Sequence, residues 1–303
     1  MISKFYKTLL CLNFLFLFSF SFGMQQGVQD NNLVKIEKEV RFAKSLEIDT
    51  QNITDILNYV GLDKDVNELE KTLVIFDIDG VVMIPKQLLG NDPWAYYEGD
   101  KFIAKYNNGT VKGASKEVFI KGMAEFKQVW SFVQNNVEVK LVDEKFTDVL
   151  EKLFKNCIKI MGFTARGTDL VDRTKYQMDS INVDFSKNAY CLENIKTKDY
   201  INKNGVLFVD LGVSKGEILK RFFAHIGKKP GKIVFIDDQP KNIKTIKEMC
   251  EQENISFVGI RYGGADEISK LDDTKKKICD IQLERLRETG KVLSDKEAGL
   301  FEI

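Results

Sequence analysis

The sequence predicts an α/β protein with a Rossmann-like, doubly wound parallel sheet, helices on both faces and a small, mostly helical cap insertion. Short apolar runs rich in β-forming residues recur along the chain, and amphipathic helical stretches separate them. Strands that alternate with helices form parallel sheets, because each crossover connection returns over one face of the sheet. Three of these runs end in reactive polar residues, which places the chemistry at one edge of the sheet.

The chain has 303 residues and begins with a segment typical of a secretory signal. Two lysines give a positive start, and residues 9–22 are almost wholly apolar. Ser21 and Gly23 are the small residues that a cleavage after Gly23 requires. The apolar run is short for a membrane span of about 20 residues. We therefore predict an exported protein, periplasmic or secreted, that loses residues 1–23; an uncleaved N-terminal anchor is the alternative.

The composition is that of a soluble globular protein, with 44% hydrophobic and 30% charged residues. Cleavage of the signal leaves 43 basic residues against 45 acidic ones, a net charge of −2. This balance argues against a nucleic-acid partner. No later apolar segment is long enough to span a membrane, so we expect no stable membrane span after cleavage.

The cysteines that remain after cleavage are scattered along the chain without a CxxC pair, which argues against a zinc site. Export would permit disulfides between them, and buried thiols that act as small hydrophobic residues are the alternative. These cysteines are Cys157, Cys191, Cys250 and Cys279.

The first predicted element is an N-terminal helical segment, because residues 24–70 are polar with weak helical spacing. Residues 73–78 (LVIFDI) then form a short apolar run that is typical of a buried parallel strand. Residues 71–85 and 137–264 are predicted to form the α/β core. The remaining residues, 265–303, are mostly charged and are predicted to be helical.

Residues 86–136 are predicted to be a cap inserted into the core. They include a helical stretch that follows a segment rich in aromatic residues. These aromatic side chains could line a pocket for a ring-bearing substrate, or they could form the cap's own core. They are Trp94, Tyr96, Tyr97 and Phe102.

Within the core, apolar patterns predict further strands and helices in alternation. The alternating segment 137–142 is predicted to be a strand. The other predicted strands are residues 157–163, 206–209, 232–236 and 255–260, and the predicted helices are residues 145–154, 166–182, 214–226 and 242–252.

Aspartates follow two of the apolar strands. Asp77 and Asp79 lie at the end of the first strand, and Asp237 and Asp238 end a later one. A carboxylate such as Asp77 can attack phosphorus, and a second one such as Asp79 can protonate the leaving oxygen. Asp237 and Asp238 offer the hard oxygen ligands that magnesium prefers. Strand-capping turns are the structural alternative for both pairs.

A third strand ends at Thr164, whose hydroxyl could donate to a phosphate oxygen. The backbone N–H groups of Ala165 and Arg166 could complete such a phosphate cradle. The alternative for Thr164 is an ordinary helix N-cap.

Lys215 lies at the start of a predicted helix, where its ammonium could stabilise a transferring phosphoryl group. A solvated lysine is the alternative in a chain this rich in lysine. Gly212 and Gly216 beside it suggest a close approach between a strand and the helix. The single histidine, His225, is predicted to be a surface or packing residue.

Four segments in this order resemble the motifs of the haloacid dehalogenase-like superfamily, over roughly residues 70–262, and suggest an exported bacterial branch of it. The segments are FDIDGVV (76–82), IMGFTARG (160–167), GVSKGEIL (212–219) and VFIDDQPKN (234–242). Val81 departs from the threonine that is commoner in the first motif.

The resemblance implies a role for each matching residue. Asp77 would be the nucleophile and a metal ligand, and Asp79 would be the general acid and base, with its carbonyl on the metal. Thr164 and Lys215 would hold the phosphate. Asp237 would bind Mg²⁺ with help from Asp238.

These inferences together predict a magnesium-dependent phosphomonoester hydrolase that acts outside the cytoplasm on a small phosphorylated substrate, through an aspartyl-phosphate. A phosphomutase of sugar phosphates is one alternative. A secreted effector or binding protein that uses the same scaffold is another, because fold alone does not fix function. The sequence predicts no particular protein partner.

Overall fold

An eight-stranded sheet organises the chain in the computed structural model, which describes residues 45–210, 212–267 and 270–301. The predicted signal peptide, residues 1–23, lies outside the described residues. The strands are β1 (Ser45–Thr50), β2 (Thr72–Phe76), β3 (Met83–Pro85), β4 (Val139–Leu141), β5 (Lys159–Thr164), β6 (Ile195–Lys196), β7 (Tyr200–Lys203), β8 (Val206–Val209), β9 (Lys232–Asp237) and β10 (Ser256–Tyr262).

The large sheet has the strand order β1-β10-β9-β2-β5-β8-β7-β6, and all its pairs from β1 to β8 are parallel. Only β6 and β7 at one edge are antiparallel. From β2 the chain proceeds to β5 and β8 on one side, and it then returns to β9 on the other side. This reversal beside β2 is the switch point at which doubly wound sheets bind ligands. The predicted fold class is confirmed.

Helices cover both faces of the sheet. Successive side chains of each strand point to opposite faces, so both faces of these apolar strands need covering. In β2, Val74 and Phe76 pack into one apolar cluster and Leu73 and Ile75 into another. The helices are α1 (Ile56–Val60), α2 (Val66–Leu69), α3 (Asp92–Lys105), α4 (Lys116–Asn136), α5 (Phe146–Lys155), α6 (Val171–Ser180), α7 (Lys215–Ile226), α8 (Pro240–Gln252), α9 (Asp273–Thr289) and α10 (Asp295–Ala298).

The prediction of helices throughout residues 24–70 is wrong for residues 45–50, which form strand β1. This strand extends the sheet by pairing in parallel with β10, with Ser45 opposite Phe257 and Thr50 opposite Tyr262. The pairing satisfies the backbone groups of an exposed sheet edge, which the local spacing of apolar residues does not reveal. Only α1, α2 and a short 3-10 turn are helical in the described part of this segment.

The strand predicted over residues 137–142 does not join the core sheet. Residues 139–141 form β4, which pairs in antiparallel fashion with β3 in a separate two-stranded sheet. The alternating pattern correctly indicates a strand. Its partner is β3, the segment that follows β2 along the chain, and the local pattern does not indicate this pairing. The two strands of this small sheet flank α3 and α4 in the sequence, since β3 precedes α3 and β4 follows α4.

Helices α3 and α4 share an apolar cluster with α9 from the C-terminal segment. Trp94 stacks on Trp130, Phe126 is tilted against both rings, and Leu283 and Leu286 of α9 belong to the same cluster. The C-terminal helix therefore packs on the predicted cap. Among the described residues, no helix has both the length and the apolarity that crossing a membrane requires.

The cysteines occupy different environments. Cys250 and Cys279 are buried, but Cys157 is exposed, so the alternative of four buried thiols is wrong for this residue. Cys157 follows α5 with a φ of 55°, and this left-handed turn directs its side chain away from the core. Cys191 is half-buried, and the described cysteines are all free thiols.

Candidate active site

Asp77 and Asp237 lie side by side at the switch point of the sheet. Asp77 directly follows β2, and its N–H donates to the carbonyl of Ile236 in β9 at 2.9 Å. Asp237 is the last residue of β9 and is fully buried. Gly80 then turns the chain with a φ of 74°, and a Cβ at this position would lie 3.0 Å from Cγ of Asp238. The glycine therefore lets the two strand ends approach closely.

Lys215, the first residue of α7, bridges these two aspartates. Its Nζ lies 2.9 Å from Oδ1 of Asp77 and 2.8 Å from Oδ2 of Asp237, and it also donates to the carbonyl of Phe163. Burial lowers the pKa of Lys215, but the charges of Asp237 and Asp77 outweigh this and raise the pKa above its ordinary value. Lys215 is therefore a buried ammonium ion and not a solvated lysine.

Three carboxylates of the site could hold a metal ion. Asp77, Asp237 and Asp238 each offer an oxygen within 4.8 Å of the others. Burial raises the pKa of Asp77 well above its ordinary value, with repulsion from Asp237 and Asp238 adding to it and Lys215 opposing it. Burial and the charge of Asp237 raise the pKa of Asp238 to about 6. Both shifts reflect buried carboxylates that lie close to one another.

Asp238 also shows that the site fits a divalent cation. Its Oδ1 is buried and has no hydrogen-bond partner among the described residues, whereas its Oδ2 accepts from Nε2 of Gln239 at 2.6 Å. A buried carboxylate oxygen without a partner is costly. Mg²⁺ prefers one or two carboxylates together with water and substrate phosphate, and this donor set matches that preference.

Asp79 contacts Arg166 rather than the metal cluster. Nε of Arg166 donates to both oxygens of Asp79, at 3.1 and 2.9 Å. The guanidinium is fully buried, and it donates further to Oε1 of Gln134 at 2.6 Å and to Gln177. The orientation of Asp79 is thus fixed by an arginine that is itself held by two glutamines.

Thr164 ends β5 and is fully buried. Its hydroxyl accepts a hydrogen bond from the N–H of Arg166 at 3.2 Å, in the manner of the alternative capping role. Its neighbours Ala165 and Arg166 line the cavity described below, but the side chain of Thr164 does not. His225 is exposed near the far end of α7 and contacts the ring of Tyr200.

A cavity of about 550 Å³ opens onto Asp77, Asp79 and Lys215. Helices α3 and α4 form much of its wall. Of the four aromatic residues expected either to line a pocket or to fill the core of the predicted cap, Tyr96 lines this cavity, whereas Trp94 and Phe102 belong to the apolar cluster that α3 and α4 share with α9. Tyr97 donates its hydroxyl to Asp280 of α9.

A profile of the family described as "Protein of unknown function (DUF2608)" matches residues 49–299. The chain belongs to this family. The match includes every strand end that contributes to the site and extends through α10.

Curated relatives of this DUF2608 protein come from Chlamydia. A protein of Chlamydia pneumoniae named "Putative outer membrane protein" is 27% identical over 241 residues, which cover 75% of this chain and 82% of the relative. A Chlamydia trachomatis protein of the same name is 25% identical over 189 residues, 62% of this chain and 68% of the relative.

Two solved structures show partial likeness to this DUF2608 chain. A haloacid dehalogenase-like hydrolase of Streptococcus pneumoniae covers 65% of the chain at 10% identity, with a TM-score of 0.38 and 97% of its own length aligned. A HAD family enzyme of Bacteroides thetaiotaomicron covers 61% at 16% identity, with a TM-score of 0.31 and 91% of its own length aligned. Scores this low do not establish a common fold, so membership of that superfamily remains a resemblance.

The sequence did not predict two charged side chains of the site. For Arg166 the sequence predicts a role of the backbone N–H only, although its place two residues after the end of β5 indicates proximity to the strand ends. Asp92, the first residue of α3, lines the cavity beside Asp79. Burial and repulsion from Asp238 and Asp79 raise the pKa of Asp92 to about 8. The Asn91-Asp92-Pro93 sequence indicates where α3 begins, but it does not indicate that the start of this helix lies beside the site.

Proposed function

We propose that this protein is a magnesium-dependent phosphomonoesterase of the haloacid dehalogenase-like type, with Asp77 as nucleophile. The observation that supports this most is the Lys215 ammonium held between Asp77 and Asp237, with Asp238 close enough to share a cation. A carboxylate nucleophile needs positive charge beside it to approach an anionic phosphate. In addition, the order and spacing of the motifs support the resemblance independently.

In the first half of the proposed reaction, an oxygen of Asp77 attacks phosphorus. The N–H of Ile78 and the ammonium of Lys215 both contact Oδ1 of Asp77, which leaves Oδ2 as the attacking atom. The bond between phosphorus and the ester oxygen breaks, and this oxygen keeps the electron pair. A protonated Asp79 gives the leaving oxygen its proton, so an alcohol departs.

In the second half, water attacks the phosphorus of the aspartyl-phosphate and passes a proton to Asp79. The bond from phosphorus to Asp77 then breaks, phosphate leaves and the carboxylate is restored. Lys215 and the backbone N–H of Ala165 would hold the phosphoryl oxygens, because the N–H of Arg166 already donates to Thr164. Mg²⁺, held by Asp77, Asp237 and Asp238, with the carbonyl of Asp79 as the further ligand that the resemblance implies, would supply charge that screens nucleophile and phosphate from each other.

We also propose that the protein acts outside the cytoplasm, with residues 86–136 as a cap over the core. Residues 1–23 have the charge and apolarity of a signal peptide, and the named relatives are described as outer membrane proteins. Mass spectrometry of the mature N-terminus in a bacterial expression host tests cleavage after Gly23. An intact N-terminus would contradict it.

The nucleophile assignment predicts that Asp77→Asn abolishes phosphate release from p-nitrophenyl phosphate, because a neutral amide cannot attack phosphorus. Wild-type protein should be active with Mg²⁺ and inactive with a chelator. Asp172→Asn is the matched control: Asp172 carries an exposed surface ion pair, so this variant should keep full activity. Equal rates for Asp77→Asn and wild type would refute the assignment.

Reaction in ¹⁸O-labelled water distinguishes hydrolysis from transfer. A hydrolase releases phosphate that carries the label, because water attacks the phosphorus. Transfer of the phosphoryl group to a second sugar hydroxyl without label would favour the phosphomutase. Tight binding of a protein partner without any turnover would favour the effector.

A further inference from the structure

The cavity beside the proposed nucleophile has a wall that is mostly apolar. Its volume, about 550 Å³, is within the range of sites that enclose small organic ligands. The apolar side chains come from α3, from α4 and from the segment before α7. They include Ile103, Phe119, Met123, Phe126, Trp130 and Val213.

Some of these apolar side chains remain exposed at the cavity. The packing of the cap does not require this exposure. Phe126 and Trp130 are nearly buried in the apolar cluster of the cap. By contrast, Phe119 is 50% exposed and Val213 is 41% exposed, although each belongs to a different part of the chain. Apolar surface that converges from separate elements onto one cavity is typical of a ligand site.

The charged groups of the cavity also restrict what it can hold. Asp92 and Asp100 of α3 line it on the side of the cap, and Lys241 lies at its other border. The carboxylate of Asp100 on the cap would repel a second anionic group on the ligand. Sugar hydroxyls that pack against the apolar side chains of the wall would lose their water there.

We infer that the substrates of this site are phosphate monoesters whose alcohol is an apolar alkyl or aryl group. The phosphate lies against Asp77 and Lys215, and the apolar group packs against α3 and α4. This inference rests on the proposed function for its phosphate end and on the cavity wall for its apolar end. Each methylene that leaves water should raise affinity by up to roughly fourfold.

A series of n-alkyl phosphates, from ethyl to octyl, tests the inference. These esters release primary alcohols of similar acidity, so the chemical step is nearly constant and only the apolar contact changes. We expect kcat/KM with Mg²⁺ to rise at least about tenfold from ethyl to hexyl phosphate. Glucose 6-phosphate, a polar primary ester, should be used less well than hexyl phosphate.

Two variants on one helix assign the effect to the cavity. Phe119→Ser should reduce the dependence on chain length, because Phe119 lines the cavity. Phe132→Ser is the matched control: Phe132 lies on the same helix and is 40% exposed, but it does not line the cavity. Both side chains are at the surface, so both variants should fold. Equal loss of the dependence in both variants would overturn the inference.

Binding measurements separate this inference from the proposed function. Affinities of n-alkyl phosphonates, which cannot be hydrolysed, are measured by calorimetry alongside the rates. Affinity that rises with chain length, without turnover of any ester, would support the apolar site and refute the hydrolase. Turnover together with rates and affinities that do not depend on chain length would refute the apolar site and leave the hydrolase standing.

Discussion

Arg166 is the residue that most changes the view of the site, because it connects Asp79 to the interior. Its guanidinium is buried with one carboxylate and two glutamine side chains as partners. A buried guanidinium that loses one of its partners costs free energy, so these hydrogen bonds fix the position of the Arg166 side chain. The side chain of Arg166 is thus a positioning residue, which acts through Asp79, the proposed acid and base.

Replacing Arg166 is predicted to disorient Asp79. Arg166→Met should lower kcat at least about tenfold and, by removing one partner of a buried pair, should destabilise the protein by about 3 kcal/mol. Arg166→Lys, which keeps the charge, should recover part of the lost kcat and part of the lost stability. Urea denaturation and steady-state kinetics measure the two effects.

The matched control for Arg166 is Arg221→Met. Arg221 forms exposed ion pairs with Glu217 and Asp199, so its loss should change stability and rate very little. A purely structural role for Arg166 would leave the pH dependence of kcat unchanged in the Lys variant. A shifted pH profile of kcat in the Lys variant would support the view that Arg166 positions Asp79.

At the scale of elements, the contact between α7 and α8 determines where Lys215 lies. A Cβ at Gly216 would lie 2.1 Å from the carbonyl oxygen of Thr245 in α8. The sequence predicts a close approach of strand and helix at Gly212 and Gly216, but the close approach is between two helices. Gly212 has open space around its Cβ position and a φ of 83°, so it is a turn residue.

Gly216→Ala is predicted to force α7 away from α8. The clash is with backbone, so it cannot be relieved by a rotamer change, and overpacking of this kind costs about 1–3 kcal/mol. Gly99→Ala in α3 is the matched control, since its Cβ would be 3.7 Å from the nearest atom, and helix propensity favours alanine there. Thermal unfolding should therefore separate the two variants; equal melting temperatures would contradict the predicted clash.

At the scale of the whole molecule, the proposed cap and the sheet meet at a cluster of carboxylates. Asp77, Asp237 and Asp238 come from the core, and Asp92 comes from the first turn of α3. Burial and then mutual repulsion raise the pKa values of Asp77, Asp92 and Asp238, so keeping these carboxylates ionised costs free energy in the folded state. Binding of a divalent cation to the folded state only should therefore stabilise the entire chain.

Magnesium is thus predicted to raise the melting temperature. At a free concentration of about 100 times Kd the stabilisation is about 2.7 kcal/mol, or roughly 4–5 °C for a chain of this size. Differential scanning fluorimetry with MgCl₂ and with EDTA measures the shift. Asp238→Asn should reduce it, whereas Asp172→Asn, far less buried, should not. Identical melting curves with and without magnesium would contradict the predicted site.

The sequence by itself determined the sheet class and the strand-end aspartates, because apolar runs and the residues that end them are local features. Asp77 and Asp237 could be located from these features and brought together by the rule that parallel strand ends converge. It could not determine the β1–β10 pairing, the Arg166–Asp79 ion pair or the packing of α9 on α3 and α4. Those contacts join segments far apart in the chain, and their energies depend on burial and geometry that exist only after the chain has folded.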